Sequence, residues 1–251
     1  MRLQLIRNAT IILEYADLRI LIDPMLGPKH SIGSFGGTER NPTVNLPLDP
    51  LEVLKNVDLL LLSHLHQDHF DKTAQILIEQ SIPILCQPGD QEKIGAHGFN
   101  NVLVLEEETK WQNVTISRTA GQHGTGKWGK RLNPVSGFIF QFPGEPVLYW
   151  IGDSIWCDDV ENSLEIHQPD VVVTHSGGAE IDDSGPIIMD AAQTIRVCES
   201  VPSATVIATH LEALDHCLTT RSSLRADAKK MDIRSGRLII PENGDIVDVY
   251  T

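Results

Sequence analysis

Positive charge is what this chain has least of. Lys and Arg total 20 against 34 Asp and Glu, a net charge of −14 at pH 7. Binding to nucleic acid or to an anionic membrane surface needs a basic face, so neither is expected as a partner. Cysteine is also scarce: Cys86, Cys157, Cys198 and Cys217 are widely spaced, contain no C-x-x-C pair, and read as core or reduced thiols. No apolar run is long enough for a membrane span, and the opening Met1 to Asn8 turns polar too soon for a secretory segment. The expected location is therefore cytoplasmic. Neither an internal repeat nor a low-complexity stretch interrupts the 251 residues, which are ample for a substantial core.

What is present in quantity is a ligand cluster. Ser63-His64-Leu65-His66-Gln67-Asp68-His69 holds three histidines and an aspartate in seven residues. Imidazole nitrogen and carboxylate oxygen suit zinc, manganese or iron. One short loop does not close a single coordination sphere with all four, so two metals are expected. The cluster follows Val57-Asp58-Leu59-Leu60-Leu61-Leu62, which reads as a strand buried on both faces. Asp71 then reads as the N-cap of a helix over 72–80. A strand-to-helix turn of this kind is where open α/β sheets bind ligands.

Other strands are legible in order: 3–6, 10–15 and 18–22 with a hairpin turn near Asp17, then 82–86, 102–105, 114–119, 136–142, 147–151, 171–174, 205–209, 238–240 and 246–249. Helices are expected over 190–199 and 218–230, with a short helix or turn near 89–98. Residues 27–50, which include His30 and Phe35, and 124–134 read as long loops. The second concentrates Lys127, Lys130 and Arg131 around Trp128, a group that would suit a phosphate or carboxylate substrate. Glu106-Glu107-Glu108 reads as a solvated run. Several strands end on metal-binding side chains. His123 follows one, and Asp153 follows another, where its two oxygens are able to bridge two cations. His175 and His210 stand at two more strand exits.

His64-x-His66-x-Asp68-His69 after an apolar strand resembles the signature of the metallo-β-lactamase superfamily. Asn8-Ala9-Thr10 through Leu21-Ile22-Asp23-Pro24, Gly152-Asp153-Ser154, Ser176-Gly177-Gly178 and Ala208-Thr209-His210 fall in that family's order. The resemblance covers nearly the whole chain. It is greatest to the small single-domain branch that includes the L-ascorbate-6-phosphate lactonase-like proteins. One departure is Ser154, where the family usually has threonine. The resemblance implies an α/β fold, a four-layer αββα sandwich of two mixed β-sheets flanked by helices, in one metallo-hydrolase domain over 1–251.

It also implies a ligand set. His64, His66 and His123 would take one metal, Asp68, His69 and His210 the other, with Asp153 bridging. Asp23 would orient a ligand histidine. Asp68 and His175 are the expected catalytic residues, His175 as a proton donor or substrate contact, with simple packing as the alternative. The cofactors expected are two divalent metal ions, zinc first, with manganese and iron as alternatives. The implied reaction uses hydroxide held between the metals to cleave an ester, lactone or phosphodiester in a small molecule, anionic ones included.

The family's diiron redox branch usually has glutamate at the position of His66 and an attached flavin domain. Its RNA-processing branches carry large insertions, and its antibiotic-degrading members use a cysteine ligand and are exported. None of these fits. The partner expected is a small-molecule substrate, and the oligomeric state is left open, a homo-oligomer included. A non-catalytic metal- or ligand-binding protein on the same fold is the competing reading. Glu212 and His216 follow within reach of the His210 loop, and read equally as partners behind a ligand or as helical surface positions.

Overall fold

Strand β1 (Arg2–Arg7), β2 (Thr10–Tyr15) and β3 (Leu18–Ile22) open the chain as an antiparallel meander. Ala16 and Asp17 both take positive φ between β2 and β3, the backbone a two-residue hairpin with right-handed strand twist requires. Next come β4 (Leu59–Leu62), β5 (Ile84–Cys86) and β6 (Val102–Val104), each parallel to its neighbour. Between them lie α1 (Pro50–Leu54), α2 (Lys72–Leu77) and α3 (Gln91–Ala96). Asp71 caps α2 by accepting from the Ala74 N–H, as its place in the sequence predicts. The computed structural model describes residues 1–182, 184–234 and 236–249.

The second sheet starts with β7 (Glu108–Trp111), β8 (Val114–Ala120), β9 (Ser136–Gln141) and β10 (Leu148–Trp150), all antiparallel. It continues through β11 (Val171–His175), β12 (Thr205–Thr209) and β13 (Leu238–Ile239), all parallel. β14 (Ile246–Asp248) crosses back to pair with β1. The sheet orders are β14-β1-β2-β3-β4-β5-β6 and β7-β8-β9-β10-β11-β12-β13. Read in these directions, both run through three antiparallel and then three parallel pairings. The two halves share a plan that the sequence does not reveal.

Side chains alternate between two buried faces, which is why most of these strands read as continuous apolar runs. Leu3, Leu59, Leu61, Phe138, Trp150 and Val173 meet in one cluster between the sheets. Behind the first sheet, Leu60 and Leu62 pack on Val53, Ala74 and Ile94 of the three helices. Behind the second, Tyr149, Val172 and Val206 pack on α5 (Asp158–His167), α6 (Ala191–Ser200) and α7 (Arg221–Lys230) through Leu164, Val197 and Leu224. The fold is the four-layer α/β sandwich expected. Each fully buried Leu, Ile or Val contributes roughly 1.5–3 kcal/mol, so these layers can offset the cost of a buried polar site.

Three local expectations change. The loop over 124–134 contains α4 (Gly126–Leu132), a helix with no buried residue and therefore no apolar stripe to announce it. Glu108 leaves the charge run to begin edge strand β7. The helix expected from 218 starts at Arg221, because the Thr220 hydroxyl accepts from the Ser223 N–H and ends the preceding extended segment. Among the described residues, no helix is long and apolar enough to cross a membrane.

Candidate metal centre

Strands β1, β3 and β4 run in one direction within the first sheet, and β8, β10, β11 and β12 in one direction within the second. The residues that follow them converge at one rim: Asn8, Asp23 and His64 from one sheet, His123, Asp153 and His210 from the other. Asn8, Asp23 and His210 all take positive φ, near 59°, 48° and 59°. For non-glycine residues this costs of order 1 kcal/mol each, a cost native structures tolerate mainly where a site requires it. Gly152 has φ 77°, and a Cβ there would stand 2.6 Å from the Ser136 carbonyl, so only glycine turns the chain to aim Asp153 inward.

All seven expected metal ligands come together. Donor atoms of His64, His66, His123 and Asp153 lie within 4.8 Å of one another, and so do those of Asp68, His69, Asp153 and His210. Asp153 belongs to both groups. Its Oδ2 is 3.1 Å from His69 Nε2, 3.4 Å from His123 Nε2 and 3.8 Å from His64 Nε2; its Oδ1 is 3.6 Å from His210 Nε2. Asp68 Oδ2 is 3.3 Å from the Nε2 atoms of both His69 and His210. Zinc bonds of 2.0–2.1 Å in tetrahedral array set donors about 3.3 Å apart, so this spacing fits a metal. The donor chemistry fits as well, with imidazole and carboxylate and no competing amine.

The outer ring nitrogens of His64, His69 and His123 are occupied, which fixes these imidazoles. Asp23 Oδ2 accepts from His69 Nδ1 at 2.7 Å and from the Ser63 hydroxyl at 2.6 Å, and Oδ1 accepts the Ser63 N–H at 2.8 Å. Ser63 Oγ in turn lies 2.9 Å from His64 Nδ1. One carboxylate therefore orients His69 directly and His64 through a hydroxyl, leaving both Nε2 atoms facing inward. His123 Nδ1 donates to the Ile187 carbonyl at 2.8 Å. Asn8 Nδ2 is 3.2 Å from His210 Nε2 and 3.3 Å from the Asp68 carbonyl, tying the two sheets' contributions together. Ser63 and Asn8 stand within the motifs quoted from the sequence, but those motifs give neither a role; the one further signal is that each directly follows a strand.

Charge within the cluster balances among protein groups. Burial pushes the Asp68 and Asp153 carboxyls up, but His69 and His210 outweigh it and hold both well below the usual carboxylate range. Burial opposes the charge on His69 and His210, yet the carboxylates win: His69 is held well above the histidine range and His210 is raised to about 10. Burial pulls His64 down, reinforced by His69 and His66, and takes His123 to about 4 against the pull of Asp153. Burial lowers His66 too, so three imidazoles that resist protonation face two carboxylates that demand positive charge, which a divalent cation satisfies better than protons do.

His175 is fully buried and sits behind Asp153 rather than against the open cavity: its Nδ1 is 2.6 Å from Asp153 Oδ1. Burial takes its pKa to about 4, offset in part by Asp153, so the neutral ring donates to the carboxylate. His175 therefore stands against Asp153 and not at the cavity, where the proton donor or substrate contact expected from its strand exit would lie. Glu212 is engaged elsewhere, at 2.6 Å from Arg221 Nη1, and His30 is exposed away from the cluster.

Above the cluster opens a cavity of about 340 Å³ with His66, Asp68, His123, Asp153 and His210 among its lining. Its remaining wall includes Phe35, Leu132, Ile187 and Ile188. No lysine or arginine lines it among the described residues. Lys127 pairs instead with exposed Asp182 at 3.0 Å, and both Lys127 and Arg131 lie over the Trp128 ring.

These features define a metal-dependent hydrolase of the metallo-β-lactamase fold. The family model described as "Beta-lactamase superfamily domain" matches residues 18–211, and the chain belongs to that family. The chain is 36% identical over 251 residues to UPF0173 protein YddR of Bacillus subtilis, covering 98% of each. A crystal structure of isothiocyanate hydrolase from Delia radicum gut bacteria superposes with TM-score 0.95 at 36% identity, covering 100% of both chains. A possible metal-dependent hydrolase from Veillonella parvula does so with TM-score 0.95 at 33% identity, covering 99% of both. These relatives carry the superfamily assignment; the narrower lactonase-like branch rests on motif order alone.

Proposed function

We propose that the chain is a dinuclear metallo-hydrolase of small uncharged molecules that carry an electrophilic carbon on an apolar body. The observation that carries this reading is the cavity: its floor is the His/Asp cluster, its wall is mostly aliphatic and aromatic, and none of Lys127, Lys130 and Arg131 is part of its lining. An anionic substrate would find no lysine or arginine in that wall among the described residues.

His64, His66 and His123 would hold one divalent ion, Asp68, His69 and His210 a second, with Asp153 between them. Zinc suits the donors, with manganese and iron as alternatives. When bound, such ions supply Lewis-acid stabilisation of developing negative charge and make water a nucleophile at neutral pH. The chain's own contributions are distinct. Asp23, Ser63 and Ile187 fix the imidazole tautomers, His175 and Gly152 fix Asp153, and the apolar wall excludes bulk water and seats the substrate body.

Isothiocyanates are the first substrate class proposed, on the likeness to the isothiocyanate hydrolase over the full length. Such a group is small and uncharged, and its central carbon is electrophilic. Adding one water and breaking the C–N bond gives an amine and carbonyl sulfide, so atoms balance without a co-reactant. Esters and lactones remain in the class, because the apolar wall does not distinguish them. The test is a hydrolysis panel of isothiocyanates, esters, lactones and phosphodiesters on metal-replete protein, with His66→Ala as control. Turnover of uncharged members that vanishes in His66→Ala supports the proposal; preference for phosphodiesters overturns the substrate class.

A further inference from the structure

Beyond the metal cluster, the cavity wall has two polar side chains, Gln67 and His216. Gln67 is exposed at the rim, where water serves it. His216 is only 7% exposed. Its Nδ1 is buried without a hydrogen-bond partner, and the nearest carboxylate oxygen, Asp215 Oδ1, is 3.8 Å away, beyond hydrogen-bonding reach. Among the described residues no hydrogen bond reaches Nε2 either, and the ring lines the cavity. His216 belongs to neither donor group of the metal centre.

Asp215 does not serve His216 because its oxygens are taken. They accept from Ser34 Oγ at 2.5 Å, Asn41 Nδ2 at 2.9 Å, and the backbone N–H groups of Glu39 at 3.2 Å and Phe35 at 3.4 Å. This clamp holds the 33–41 segment and sets Phe35, a residue of the cavity wall, edge-on to the His216 ring, centroids 5.5 Å apart at 75°. The imidazole is thus held in place by packing while its nitrogens stay uncommitted. Burial lowers its pKa, so the ring is neutral and offers one N–H and one bare nitrogen. A buried polar group without a partner costs about 1–3 kcal/mol, and one kept at a cavity wall is placed to meet a ligand.

We propose that His216 is a substrate-contacting residue whose imidazole hydrogen-bonds the polar heteroatom of the substrate while Phe35 and the isoleucines hold its hydrocarbon part. This rests on the hydrolytic reading of the same site. It sets the specificity: molecules with a heteroatom terminus on an apolar body fit, and pure hydrocarbons or anions do not.

The test compares His216→Leu, His216→Phe and His216→Gln with the unaltered zinc-loaded protein on benzyl isothiocyanate, phenyl acetate and a γ-lactone. Zinc content and melting temperature are measured alongside. Expected are full zinc content in all three, a fall in kcat/KM of about tenfold or more for Leu and Phe, and recovery to within about threefold for Gln, which restores a hydrogen-bonding group. Apolar variants that keep the unaltered rate, a Gln variant that falls as far as Leu, or apolar variants that fail to fold would each overturn the proposal and make His216 a packing residue. If the unaltered protein turns over nothing in the panel, the hydrolytic reading itself fails, and this inference with it.

Discussion

Nδ1 of His175 lies 2.6 Å from Oδ1 of Asp153, with both side chains buried beneath the metal cluster. The other oxygen of Asp153 faces the Nε2 atoms of His64, His69 and His123. Oδ1 is therefore tethered while it also faces His210 Nε2 at 3.6 Å, and Oδ2 is turned toward the rest of the cluster. Replacing His175 with Phe removes the tether while filling the space. Metal affinity is expected to fall about 10–100-fold, as for loss of other partners behind a ligand, with the fold retained. Competition against a chromophoric chelator measures it; unchanged affinity would remove His175 from the site.

Asp23 supports two imidazoles and Ser63 only one. Asp23→Asn is thus expected to weaken metal binding by more than Ser63→Ala, roughly tenfold or more against a few-fold. Equal effects in the same titration would contradict the relay through the serine hydroxyl.

Metal removal should expose a two-sided pH dependence. His123 and His175, with pKa values of about 4, refuse protons that the unfolded chain accepts below pH 6.5, so stability is lost as pH falls from 6.5 toward 4. His210, raised to about 10, stabilises fully below pH 6.5, and that contribution is lost as pH rises through 10. Chelator-treated protein is expected to melt highest near pH 6.5. Zinc displaces the protons on His69 and His210, so affinity should rise with pH over 6–8, and calorimetric heats should vary with the buffer's ionisation enthalpy. Heats independent of buffer would contradict the charge balance described.

At Gly152 the backbone conformation and the 2.6 Å approach to Ser136 exclude a side chain. Gly152→Ala is expected to lower stability by about 2 kcal/mol or more and to abolish turnover by misplacing Asp153. Thermal melts and the hydrolysis panel report the two effects separately.

The strands were legible because each central one is buried on both faces, which writes itself as runs such as Leu59 to Leu62 and Val171 to Val173. Asp71 and Asp190 announced their helices because capping needs a short acceptor at one position. α4 was hidden: it buries nothing, and Gly126 and Gly129 look like loop residues. In the site, the residues that converge sit directly after strands, so order along the chain pointed to them. Ser63, Asn8 and His216 were not legible in their roles. A hydroxyl relay, an amide between two sheets and a histidine at a cavity wall are defined by what lies opposite, and that is set by packing between elements far apart in sequence. The Lys127, Lys130 and Arg131 group misled for the same reason, since sequence proximity to His123 does not say which way a helix turns its side chains.

Everything rests on the His/Asp cluster holding metal. The most direct measurement is the stoichiometry of bound metal on freshly purified protein saturated with zinc and freed of excess, read by elemental analysis. Two ions per chain are predicted, falling in Asp153→Ala. Fewer than about one ion per chain under those conditions would contradict the account.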